Sequence, residues 1–177
     1  MSEPAIEPPG AVGLRVPSAP DTAAQFRHVL GHFPTGVTVI TAMVGDRPGG
    51  FAVGSFFSVS LDPPLVGFCA GKASTSWPAI RAGGSFCANI LAEDQEAACR
   101  AMSISGADKF AGLAWTRAGS GCPKLAGVLA YVDCDIEAVH DAGDHEICVG
   151  RVRELAVERQ HGPLVFFRGG YGMPGAR

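Results

Sequence analysis

The chain lacks any apolar run of the roughly 18–20 residues that a membrane-crossing helix needs, so no transmembrane helix is expected. Charge is sparse as well. Charged residues make up 18% of the 177 residues, below the usual share of about a quarter. A net charge of -3 supplies no basic surface, which argues against nucleic acid and anionic membranes as partners. The six cysteines (69, 87, 99, 122, 134 and 148) contain no C-x-x-C pair and no Cys/His ligand spacing, so neither a metal site nor a dithiol motif is expected. Cys69, Cys87, Cys134 and Cys148 lie in apolar, strand-like stretches, where a free thiol behaves as a small hydrophobe. A P-loop is missing too. Gly170-Tyr171-Gly172-Met173-Pro174-Gly175 matches G-x-G-x-x-G, but it stands two residues from the end with no helix to follow, so it is no Rossmann turn. Gly119-Ser120-Gly121 lacks the spacing of a nucleophile elbow. The N-terminus shows no basic segment leading into an apolar one, which fits a chain without a secretory signal in a reducing, cytoplasmic setting.

Glycine and proline, by contrast, are plentiful, at 24 and 13 residues. Many turns are implied, and with them a β-rich architecture rather than a helical bundle. The length suits one domain with a sizeable core. Residues 1–20 carry five prolines and little periodicity, and read as a flexible tail; residues 21–177 then form the folded domain. Asp21 is placed to cap a helix whose apolar face is Phe26, Val29, Leu30 and Phe33, ending before Pro34. His28 and His32 mimic a metal pair on that helix, but Val29 stands where a metalloprotease would carry Glu. Residues 37–43 are β-branched and predict a strand, followed by a turn over 45–50 and a second strand. A short helix is expected from about 74–76 through Ile80, a strand over 85–91 and a helix over 93–102. Residues 103–126 have weak periodicity and read as a long surface loop. From 128 to 138, Val128, Ala130, Val132, Cys134, Ile136 and Ala138 hold one parity and Asp133, Asp135 and Glu137 the other, predicting a half-buried strand with the acidic residues on a wet face. Residues 145–157 and 164–168 complete about seven hairpin-linked strands, which points to a closed or split β-barrel.

The richest stretch is Ser55-Phe56-Phe57-Ser58-Val59-Ser60-Leu61-Asp62-Pro63-Pro64-Leu65-Val66-Gly67-Phe68-Cys69: a hydroxyl-rich strand, a turn fixed by two prolines, and an apolar return strand. Before it stands Pro34-Thr35-Gly36-Val37-Thr38-Val39-Ile40-Thr41. After it come Gly71-Lys72-Ala73-Ser74-Thr75-Ser76 and Phe86-Cys87-Ala88-Asn89-Ile90-Leu91. In this order, from about Asp21 to Tyr171, the segments resemble the short-chain flavin reductases, the NAD(P)H-oxidising components of two-component flavin-dependent monooxygenases.

The resemblance implies a mainly β fold with a few helices, the FMN-binding split barrel, without a Rossmann domain. It implies an NAD(P)H:flavin oxidoreductase with FMN or FAD as acceptor and NADH or NADPH as hydride donor. Homodimers and a partner monooxygenase fed by diffusing reduced flavin follow from the same likeness. Flavin needs a platform for its ring, donors for its polar edge and an anion site. The resemblance assigns the ring to Ala52, Val53, Gly54, Ser55, Phe56 and Ser58, with room for a second ring around Thr35, Gly36 and Val37. The family commonly has Thr-Ala-Ser where this chain has Ala52, Val53 and Gly54, so two hydroxyls are missing. Lys72, Ser74, Thr75 and Ser76 before a helix start read as a phosphate cradle; Asn89 is set beside the flavin tail. Gly143-Asp144-His145 closes a hairpin at the rim, with His145 facing the nicotinamide nucleotide, and Lys109, Arg168 and Tyr171 correspond to the pocket mouth. No protein nucleophile or metal is required, because the cofactors carry the chemistry. Two other readings stay open: a slow flavin-binding electron-transfer or sensor protein of the same fold, and a split-barrel interaction module that has lost flavin. FMN against FAD, and NADH against NADPH, are undecided at this stage.

Overall fold

A computed structural model describes residues 19–106 and 108–172, with the side chains of 19–21 left aside. Most of the expected tail, residues 1–18, lies outside the described residues, as do residues 173–175 of the terminal glycine motif. The elements are α1 (Ala19–Leu30), β1 (Thr35–Gly36), β2 (Thr38–Val44), β3 (Arg47–Val53), β4 (Phe57–Leu61), β5 (Pro64–Gly71), α2 (Trp77–Gly83), β6 (Ser85–Ile90), a 3-10 turn (Glu93–Gln95), α3 (Glu96–Ser103), β7 (Trp115–Arg117), β8 (Pro123–Leu125), β9 (Ala130–Ala142), β10 (His145–Val157), β11 (Val165–Phe167) and β12 (Gly170–Tyr171). No helix among the described residues is long and apolar enough to cross a membrane.

Seven strands form one antiparallel sheet in the order β3-β2-β6-β9-β10-β5-β4. The sheet curls until its ends meet. Phe51, on the first strand of that order, packs edge-on against Phe68 of β5 at 6.0 Å, and both pack against Trp77 of α2, at 6.3 and 5.6 Å. A polar stitch joins the same ends: the Cys69 N–H donates to Ser55 Oγ at 2.9 Å. Inside the curl lie Ile40, Ala42, Phe68, Phe86, Cys134 and Cys148, all buried. Each large apolar side chain so buried stabilises the fold by about 1.5–3 kcal/mol. Val37, Val39 and Leu91 face outward and are covered by Cys99 and Met102 of α3, with Phe110, Leu125 and Val128. β1, β11 and β12 make a small second sheet.

Several expectations are corrected. Gly45 and Asp46 alone form the β2–β3 turn, with Val44 opposite Arg47, so residues 47–50 belong to the strand. Gly45 has a positive φ of 61°, which only glycine adopts without strain and which suits a two-residue hairpin. Asp21 lies inside α1, which starts two residues before it, and Phe33 lies beyond its end. The apolar face of α1 is exposed in this chain, Phe26 by 63% and Val29 by 57%. The expected loop over 103–126 contains the β7–β8 hairpin. That hairpin changes the supposed wet face of β9. Asp133 is fully buried, accepting hydrogen bonds from the Ser120 N–H at 2.7 Å and the Ser120 hydroxyl at 2.6 Å. Tyr131 is buried too and donates to Glu154.

Candidate functional site

β3 is an edge strand, because β2 is its only sheet neighbour among the described residues. Its outer backbone groups therefore have no strand to satisfy them and can serve a ligand. Two cavities open along this edge. The first, about 370 Å³, is lined by Thr35, Phe51, Ala52, Val53, Gly54, Ser55, Cys69, Gly71 and His145. The second, about 160 Å³, is lined by Thr35, Val37, Ala52, Val53, Gly54, Cys99, Ser103, Phe166 and Tyr171. They adjoin across Thr35 and residues 52–54. The volume of the first is in the range of small-molecule sites.

Each wall has a local cause. In β5, Phe68 and Ala70 are fully buried toward the core, so strand alternation turns Cys69 and Gly71 to the other side, into the cavity. Cys69 was expected in the core; it lies half-buried at the site instead. A side chain at Gly71 would meet His145 Nε2 at 3.6 Å, so glycine there leaves the space before the imidazole open. His145 follows the Gly143-Asp144 turn, and its Nδ1 pairs with Asp144 Oδ1 at 2.7 Å. That contact holds the Asp144 carboxyl below the usual carboxylate range. Lys72 fixes the hairpin from the side, donating to Asp141 Oδ2 and to the Gly143 carbonyl, both at 2.6 Å. Tyr171 meets Cys99 Sγ at 3.1 Å and packs on Phe166 at 5.3 Å; the contact with Cys99 pushes its phenol pKa up to about 12.

A third cavity, of about 870 Å³, lies beside the other end of β3. Arg47, Gly50, Thr75, Ser76, Lys109, Phe110 and Trp115 are among the residues that line it. Lys109 Nζ donates to the Gly50 carbonyl at 3.0 Å, the Met102 carbonyl at 3.1 Å and Ser76 Oγ at 3.2 Å. All three partners are neutral. Burial pushes the Lys109 ammonium pKa down, as expected for a charge removed from water. Asp108 lines the same cavity, so an anion entering it would face a carboxylate as well as the Lys109 charge, and would have to take over one of the three ammonium hydrogen bonds.

The structure thus brings Thr35, Ala52, Val53, Gly54, Ser55 and His145 to one cavity, Val37 and Tyr171 to its neighbour, and Thr75 and Ser76 to the large one. Other expected residues fall elsewhere. Lys72 lines none of these cavities, because its ammonium is occupied by Asp141 and Gly143. Ser74 Oγ accepts from the Trp77 N–H at 3.2 Å and serves the start of α2. Asn89 has 0% exposure, and its amide ties β6 to β2 and β8, with the Leu125 N–H donating to its Oδ1 at 2.8 Å. Phe56 packs against the inner core, Ser58 is exposed on β4, and Gly36 is exposed opposite Val165. Sequence reasoning missed Gly71, Cys99, Ser103 and Phe166 as lining residues. The parity of β5 around its two buried residues could have found the first of these.

A curled antiparallel sheet whose ends meet, with a ligand-sized recess beside its edge strand, is the architecture of a split barrel. Residues 30–174 match the flavin reductase like domain, and the chain belongs to that family. It is 50% identical over 147 residues to the flavin-dependent monooxygenase reductase subunit HsaB of Rhodococcus jostii, covering 83% of this chain and 75% of that one. It is similar to the crystal structure of nitrilotriacetate monooxygenase component B from Mycobacterium thermoresistibile, with 46% identity and a TM-score of 0.83, covering 88% and 89% of the two chains. The NADH:FAD oxidoreductase SgcE6 of Streptomyces globisporus is 36% identical, with a TM-score of 0.80 and coverage of 87% and 94%.

Proposed function

We propose that this chain is an NAD(P)H-dependent flavin reductase that acts at the cavity shared by Thr35, residues 52–55, Gly71 and His145. One observation carries the reading: the edge of β3 forms the wall of two adjoining recesses, with an imidazole on the far side of the larger one. The residues suit a flavin. Phe51 and Val53 give apolar wall, the unpaired edge of β3 gives backbone donors and acceptors, and Gly54 and Gly71 leave room for close approach. When bound, the flavin supplies the hydride-accepting ring and the nicotinamide nucleotide supplies the hydride.

The chain's own part is to hold two planar groups face to face and keep bulk water from between them. His145 flanks the recess where the second ring would stack, and Lys72 steadies the hairpin that carries it. Lys109, with Thr75 and Ser76, would hold the flavin phosphate. The relationship to a monooxygenase reductase subunit supports a partner oxygenase supplied with reduced flavin. The exposed apolar face of α1 supports a homodimer. We read residues 21–177 as one reductase unit on the strength of the family match.

The direct test follows the loss of nicotinamide absorbance with NADH or NADPH while FMN, FAD or riboflavin is varied. Turnover that saturates with free flavin is expected. Lys109→Met should raise the KM for FMN about tenfold or more, the worth of one charge-assisted hydrogen bond, and leave riboflavin unchanged. Stoichiometric flavin that never exchanges, with no turnover, would turn the reading to an electron-transfer protein.

A further inference from the structure

The cavities beside residues 52–54 are short of available hydroxyls. Ser55 Oγ accepts from the Cys69 N–H at 2.9 Å and lies 3.3 Å from the Cys69 carbonyl, so it is spent on joining the sheet ends. Ser103 Oγ donates to the Cys99 carbonyl at 2.9 Å, and the Tyr171 hydroxyl is taken by Cys99 Sγ. Thr35 is different. It lines both cavities, and its hydroxyl has no hydrogen-bond partner among the described residues. Its position is tied to the glycine just past the end of β3: a Cβ built on Gly54 would lie 2.8 Å from Thr35 Oγ1, 3.5 Å from its Cβ and 3.8 Å from its Cγ2. The Thr35 side chain therefore stands where a side chain at 54 would have to go.

Resting on the flavin reading above, we propose that Thr35 is a positioning residue for the flavin ring. Its hydroxyl takes over the polar contact that a serine at 54 would otherwise make, and Gly54 is the residue that lets it do so. The two positions act as one unit in which a single hydroxyl fits. A hydroxyl can donate to a ring carbonyl or ring nitrogen on the flavin's polar edge, and a polar contact of this kind is worth a few-fold to about tenfold in affinity.

A double-mutant cycle tests this, read by quenching of FMN and FAD fluorescence on titration with protein and by the KM for each substrate. Thr35→Val keeps the shape and removes the hydroxyl, so flavin binding should weaken about five- to tenfold, with the melting curve unmoved. Thr35→Ser should bind as the wild type does. Gly54→Ser alone should weaken binding, because the new side chain displaces Thr35. Gly54→Ser in a Thr35→Ala background should instead restore binding to within about twofold of the wild type, while Gly54→Ala in that background should not. Thr35→Val binding flavin as tightly as wild type overturns the proposal, and so does an equal effect of Gly54→Ser in both backgrounds. If the valine variant does not fold, the cycle through alanine and serine decides alone. A wild type that binds neither FMN nor FAD overturns the flavin reading itself, and this proposal with it.

Discussion

Asn89 shows how far a side chain's surroundings can depart from what its type suggests. Its amide nitrogen lies 3.0 Å from Thr41 Oγ1 and 3.2 Å from the Val39 and Cys87 carbonyls, and its oxygen accepts from Leu125 N–H. Thr41 Oγ1 joins the same knot, lying 2.5 Å from the Pro123 carbonyl and 3.1 Å from the Cys87 carbonyl, with its one proton to give between them. Asn89→Ala would leave several of these buried groups unpaired, so a stability loss of about 2–4 kcal/mol is expected. Urea unfolding measures that loss. Flavin affinity of the folded fraction should stay at the wild-type level, and a selective loss of flavin binding would return Asn89 to the site. A polar residue in an apolar strand was legible from the sequence as needing a partner. The identity of that partner was not, because β8 carries only three residues and leaves no periodic trace. Lys72 and Lys109 are the same case. Both are lysines beside hydroxyls, and only the fold shows that one is paired with Asp141 and the other has neutral partners alone.

At the scale of the element, strand existence was readable wherever alternation ran for several residues, as over 128–138 and 145–157. The wet face was readable at Asp135 and Glu137, which stay open to solvent, but not at Asp133, because the cover there comes from a distant hairpin that binds it. The glycines inside strands had causes that lie across the sheet as well. Gly150 sits on β10 at a register shift, and a Cβ there would come within 2.5 Å of Phe86 Cζ and 3.1 Å of Cys134 Cβ. Phe86 is fully buried against Phe68 at 5.1 Å and has nowhere to retreat. Gly150→Ala should therefore overpack the core and cost about 1–3 kcal/mol, seen as a lowered urea midpoint with an unchanged slope. Phe86→Leu, which shortens the ring that the new methyl strikes, should recover part of the loss in the double variant. Additive losses would place the strain in the backbone instead.

For the whole molecule, the curled sheet gathers residues that are far apart in the chain into one apolar interior, and this gives the protein an alkaline limit. Cys87, Cys134 and Cys148 come from three different strands and are all fully buried. Burial is the main cause that raises each thiol pKa above its ordinary 9.0, to about 12 for Cys134 and Cys148. The sign follows from the proton count. Below pH 9 the thiols are protonated in both folded and unfolded chains and contribute no pH dependence. Between 9 and 12 the unfolded chain releases protons that the folded chain retains, so stability falls as pH rises. Each thiol contributes a slope of about 1.4 kcal/mol per pH unit at full separation, and three together up to ~4. Lys109 works the other way, since its lowered pKa lets the folded chain lose its proton first. Tyr131 and Tyr171, each raised to about 12, add to the thiols above pH 10, so one group opposes five and the net slope stays negative. Unfolding curves in urea at rising pH should be flat to about pH 8 and then shift steadily to lower urea. Cys134→Ala should reduce that slope by about a third below pH 10, where the thiols act alone, and by less above it, at the cost of a small cavity that shows equally at every pH. An alkaline slope that survives this substitution unchanged would move its origin away from the interior thiols, to the tyrosines and the surface ion pairs.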